Sequence, residues 1–102
     1  MQHDLFVNPS RRGRAIYPLL VDLQADIVGG ESRIVAPLTT TAIVPNPPTR
    51  VLPRVMHDGQ GYVVMMRLLG FLPARQLGSS IGSIAQHRDD ISRALDWLFF
   101  GI

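Results

Sequence analysis

Proline and glycine punctuate this chain so densely that a long helix is possible only near its end. Eight prolines and nine glycines are spread over 102 residues. Pro18, Gly29-Gly30, Pro45-Asn46-Pro47-Pro48, Asp58-Gly59-Gln60-Gly61 and Pro73 cut the chain into short pieces rich in strand formers. Leu5-Phe6-Val7, Ala15 to Leu23, Arg33 to Leu38, Thr41 to Val44, Val51 to His57 and Tyr62 to Leu68 read as strands. Pro18 cannot donate to a sheet ladder, so the second run is predicted at an edge or bulged there. Asp58-Gly59 tolerates the positive φ of a tight hairpin turn and joins the two runs that flank it.

From Ser83 onward the pattern changes. Ile84, Ile91, Leu95, Leu98 and Ile102 are spaced seven, four, three and four residues apart, the stripe of an amphipathic helix predicted over about 84–100. Ser83 with Gln86 has the spacing of a capping box, and Gly101 ends the helix. Strands followed by one C-terminal helix predict a single α+β domain over 1–102, a small, barrel-like, mainly antiparallel sheet carrying that helix.

Size agrees with one core. At 11.3 kDa the folded surface is expected near 5,700 Å², against about 16,400 Å² unfolded. With no cysteine there is no thiolate zinc site, cysteine nucleophile or disulfide framework, and a reducing cytoplasm is the expected compartment. No apolar run approaches a membrane span of about 18 residues, and the first residues lack a signal peptide's pattern. All ten basic residues are arginine, yet the net charge is only +2. That is weak support for nucleic-acid binding, so none is expected. Arg11, Arg12 and Arg14 gather in one loop that suits an acidic protein partner.

The motifs that suggest catalysis have simpler explanations. Gly78-Ser79-Ser80-Ile81-Gly82 matches the G-x-S-x-G elbow of hydrolases, but that elbow needs a large parallel sheet and this chain cannot build one. His3, His57 and His87 have no second ligand at metal-binding spacing, so no metal or cofactor is expected. Asp89 and Asp90 diverge by about 100° on a helix and cannot oppose each other across a substrate. Met65-Met66 puts at least one sulfur in the core. The ending Leu98-Phe99-Phe100-Gly101-Ile102 is different, because it places apolar side chains at a chain end, where polar residues are usual. If Phe99 joins the core with Leu95, Phe100 points elsewhere, toward a second subunit or another partner.

Those last residues, with others in order, resemble the CcdB family of toxins from toxin–antitoxin pairs. Leu20-Val21-Asp22-Leu23-Gln24-Ala25-Asp26-Ile27-Val28 is similar to that family's L/F-V-D-V-Q-S-D-I-I stretch. Val35-Ala36-Pro37-Leu38 resembles its V-I-P-L, Val55-Met56-His57-Asp58-Gly59 its V-V-H-x-G, and Met65-Met66 its double methionine. From Pro73 through Gly78, Asp90-Ile91 and Ala94 to Phe99-x-Gly101-Ile102 the spacing fits without a gap. The segment between Val44 and Leu52 and the first loop are unlike the family.

The resemblance implies a homodimer of SH3-like antiparallel β-barrels, each with a small β wing and a C-terminal helix near the dimer axis. It implies a binding protein rather than an enzyme, one that inserts into the A subunit of DNA gyrase and traps cleaved DNA. The gyrase-binding positions carried over are Phe100, Gly101 and Ile102 with Ile27 and Val28. It further implies an antitoxin whose disordered acidic C-terminal arm folds onto the toxin, with Arg11, Arg12 and Arg14 as candidate contacts. At Phe100 the family has tryptophan. Phenylalanine offers less area and a weaker quadrupole, lowering cation–π attraction by about 0.5–1 kcal/mol per contact. Two other readings follow from the same residues: a CcdB-like toxin whose target is lost or changed, and a sequence-specific endoribonuclease toxin of the MazF type, which shares the barrel.

Overall fold

A computed structural model describes residues 1–102. Consecutive apolar residues, buried on both faces, build the first antiparallel pair. Leu5 of β1 (Asp4–Val7) pairs with Val21 of β2 (Leu19–Asp22), while Phe6 pairs with Leu20 on the opposite face. The strand β3 (Ser32–Thr40) then runs antiparallel to β2, and β4 (Arg54–His57) and β5 (Gln60–Val64) form the predicted hairpin. Its two turn residues, Asp58 and Gly59, have φ of 52° and 76°. Both central residues of a primed turn need that left-handed region. Two short strands, β6 (Gly70–Pro73) and β7 (Gly82–Ser83), precede the helix α1 (Arg88–Phe100).

The strands form one antiparallel sheet in the order β4-β5-β3-β2-β1-β7, with β6 paired to the first half of β3 as a branch. Pro37 sits where β3 exchanges partners. Ser32 to Val35 face β6, and Leu38 to Thr40 face β5. A residue without an N–H is least disruptive in that gap. The sheet curls almost shut. The Met56 N–H of β4 donates to Nε2 of His87 at 3.2 Å, and the His57 ring lies so close to Gly82 that a Cβ there would sit 2.5 Å from Cε1.

The barrel interior holds Leu5, Leu19, Val21, Leu38, Val55, Val64 and Met66, closed from one side by Ile84, Ile91 and Ala94, with Leu95 and Leu98 packed at the edge. The fold class is therefore α+β, an SH3-like barrel with a C-terminal helix. Met66 is the core methionine.

Several local expectations differ from the structure. Pro18 lies just before β2 rather than inside it, and β2 is an interior strand between β1 and β3. Thr41 to Val44 form a turn, because Thr40 O accepts the N–H groups of Ile43 and Val44 before the prolines begin. Residues 85–87 form a 3-10 turn, and α geometry starts only at Arg88. The capping box does not form: Ser83 Oγ accepts the N–H of Ala85 at 3.1 Å. The Ile84 N–H is already committed to His3 O at 2.9 Å, which ties the helix entrance to the N-terminus and sets its angle.

Candidate protein-binding site

A charged residue buried at the end of an apolar strand needs a partner, and Asp22 has several. It is 1% exposed. Its Oδ2 accepts from Nε of Arg33 at 3.0 Å and Nη2 at 2.7 Å, its Oδ1 accepts the N–H of Gln24 at 3.0 Å, and the N-terminal ammonium lies 3.6 Å away. The ion pair sits on the face opposite Leu19 and Val21. Such a pair gains stability only if the remaining lone pairs and N–H groups are satisfied. Here they are: Arg33 Nη2 also donates to Gln24 O at 3.1 Å.

Gln24 extends this network into the loop between β2 and β3. Its Nε2 donates to Gly29 O at 2.7 Å, and its Oε1 accepts the N–H of Ile34 at 3.1 Å, so one side chain spans both arms of the loop. Gly29 and Gly30 have φ of 61° and 97°, which lets the chain turn back there. Val28 N–H donates to Ala25 O, and Asp26 Oδ1 accepts the Gln2 N–H at 2.8 Å. The outcome is a braced turn whose tip is apolar. Ile27 is 95% exposed and Val28 is 67% exposed. The tip thus holds two adjacent apolar side chains in solvent on a turn fixed by a buried ionic network.

The second apolar group ends α1. Gly101 adopts φ 71° and ψ 21°, the left-handed C-cap, and its N–H donates to Trp97 O at 3.1 Å. Phe100 is 74% and Ile102 79% exposed. Phe99 does not join the core with Leu95; it is 62% exposed as well. The chain's one tryptophan does not take over the aromatic position, because Trp97 is half-buried and covered by the Arg50 guanidinium, 4.5 Å from its ring centroid. No hydrogen bond joins the helix end to the 23–31 loop within one chain. The loop is held by Gln2, Arg33 and Ile34, and the end of α1 by its own backbone.

Arg11, Arg12 and Arg14 lie at the other end of β2, about 13 Å of strand from the start of the 23–31 loop. Asn8 fixes their loop, donating to Tyr17 O at 2.9 Å and accepting the Ser10 N–H at 3.0 Å. All three arginines are exposed and none is in an ion pair. Ser80 Oγ is engaged within its own turn, donating to Gly82 O at 3.0 Å. No group of three His, Asp or Glu side chains is arranged as a metal centre, and no helix is long and apolar enough to cross a membrane.

The family resemblance pointed to Ile27, Val28 and residues 100–102, and the apolar chain end also drew attention to Phe100, but neither pointed to Asp22, Gln24 and Arg33, which brace the 23–31 loop. Nor did either point to Phe71, exposed on β6 directly opposite exposed Ile34. The family model described as CcdB protein matches residues 2–101. That span includes the braced Asp22-to-Val28 turn, the barrel and the end of α1 as far as Gly101. The chain belongs to the CcdB family, the toxins of toxin–antitoxin pairs.

Proposed function

We propose that this protein is a homodimeric, cytoplasmic toxin that binds the A subunit of DNA gyrase and holds the enzyme on cleaved DNA. The contact is made by Phe100, Gly101 and Ile102 together with Ile27 and Val28. It acts by binding and not by catalysis. The cognate antitoxin neutralises it with a disordered acidic C-terminal arm that pairs with Arg11, Arg12 and Arg14. The observation that carries this reading is the pair of apolar projections, one braced by a buried ion pair and one displayed beyond a glycine-capped helix. A dimer is supported by the surface, since one chain exposes 6208 Å² against about 5,700 Å² for a monomer of this mass. Phe99 and the Ile34–Phe71 pair contribute to that excess.

The reading is tested with purified gyrase A subunit. Saturable binding that is lost in Phe100→Ala supports it, and the absence of binding by the native protein contradicts it. Light scattering tests the dimer, and a mass near 11.3 kDa at micromolar concentration contradicts it. Incubation with mixed mRNA separates the ribonuclease alternative, which requires cuts at a defined short sequence.

A further inference from the structure

Three arginines converge on a groove between the first turns of α1 and the segment that leads into β4. The groove has a volume of about 390 Å³ and is lined by Thr49, Arg50, Pro53, Arg54, Asp90 and Arg93, with no large apolar side chain among them. Arg50 sits over Trp97 with its guanidinium carbon 4.5 Å from the ring centroid. No ion pair engages its N–H groups, and a planar guanidinium held at a ring still has N–H edges with which to donate. Arg54 donates Nη2 to Pro45 O at 2.7 Å, which fixes both its own position and the proline-rich loop. Arg93 is 3.3 Å from Asp90, but both are more than half exposed, and such a pair is weak. Arg50 and Arg54 have no carboxylate partner. Three arginines therefore face one carboxylate along an exposed surface groove.

We infer that this groove is a docking site for an acidic peptide segment, its Asp or Glu carboxylates seated on the N–H edges of Arg50 and Arg93. Guanidinium forks match carboxylates in bidentate geometry, and an incoming carboxylate competes with Asp90 for Arg93, whose bond to Asp90 Oδ1 is 3.3 Å long. Single-stranded nucleic acid fits less well. It needs open aromatic faces for base stacking, and the face of Trp97 is already covered by Arg50. One wall of the site comes from Thr49 and Arg50, just after the proline-rich loop. It is separate from Ile27, Val28 and residues 100–102, and its test stands whether or not gyrase is the target.

Trp97 is the only tryptophan, and because Arg50 sits over its ring, its emission responds when Arg50 is engaged. The probe is a short peptide of alternating glutamate and alanine, titrated at low salt into the full-length protein. The expected result is a saturable change in Trp97 emission that weakens as salt is added. In Arg50→Gln/Arg93→Gln the apparent affinity should drop about tenfold, while Arg50→Lys, which keeps the charge and loses the fork, should fall between. Arg11→Gln/Arg12→Gln should retain the emission change. Circular dichroism and thermal melting confirm that each variant is folded, and Arg93→Glu, which leaves Trp97 covered, provides a second test of the same loss. An emission change that survives both groove variants overturns the proposal. So does tighter binding of an oligothymidylate through the same arginines.

Discussion

The 23–31 loop and the end of α1 expose apolar side chains to a similar extent but are supported in different ways. Ile27 and Val28 stand on a network in which Asp22, Gln24, Arg33, Gln2 and Asp26 all take part. Phe100 and Ile102 rest on one helix and one left-handed glycine. The first region is therefore coupled to the stability of the barrel, and the second is not. Substitutions beneath the loop should change folding and binding together, whereas substitutions at the helix end should change binding alone.

The largest effect is expected at Asp22. Asp22→Ala leaves the nearly buried Arg33 with only the Asp26 carboxylate, 3.9 Å away, and breaking such a pair from one side costs up to about 3–5 kcal/mol. Urea denaturation is the check, and a loss below 1 kcal/mol would show that the pair does not brace the loop. Gln24→Ala comes next. It removes the bonds to Gly29 O and Ile34 N–H at a cost of about 1–2 kcal/mol, and amide exchange at Ile34 should accelerate while exchange in β5 stays slow.

How much of this was readable in the sequence follows the same division. The hairpin at Asp58-Gly59 and the stripe of α1 were legible because turn chemistry and helical period act over a few neighbouring residues. The extent of β3 was not: the local pattern reads Arg33 to Leu38, and the strand continues through Thr39 and Thr40 only because these pair with Val63 and Tyr62 of β5. The brace was hidden for a related reason: Asp22 and Arg33 are eleven residues apart and meet only through strand register. The arginine groove likewise joins residues of the 49–54 segment to α1, which no local pattern reports. The apolar ending was visible because it violates the ordinary polarity of a chain end.

A smaller effect is expected with pH at the N-terminal anchor of the loop. Burial and the nearby positive charge of Arg88 lower the pKa of His3 below the usual 6.5, against the opposing pull of Asp22, Asp26 and Asp4. A lowered folded value means the unfolded chain binds the proton more readily. The contribution of His3 is thus fully present above pH 6.5 and is lost as the pH falls through its folded value. His3→Asn, which tolerates the observed φ of 71°, should flatten the decline in melting temperature between pH 7 and 5. An unchanged slope would assign the decline to other groups.

The smallest effects on stability belong to the projecting side chains. Ile27→Ser and Phe100→Ala should leave the unfolding free energy within about 0.5 kcal/mol of the native protein, because neither side chain packs in the core. Deleting Gly101 and Ile102 should also spare folding. A large loss of stability in either substitution would mean that the tip or the helix end is covered, which would merge the two regions that the account separates.

The central claim is that these two groups together form a gyrase-binding surface. It is tested most directly by the accumulation of cleaved DNA when host gyrase, ATP and plasmid are mixed with the purified protein. The account predicts that the native chain traps cleaved DNA and that Phe100→Trp traps more. Ile27→Ser and Phe100→Ala should each reduce trapping at least tenfold, about 1.4 kcal/mol of lost interaction, with folding intact. If neither the native protein nor Phe100→Trp traps cleaved DNA, the claim is contradicted and the apolar surface serves another partner.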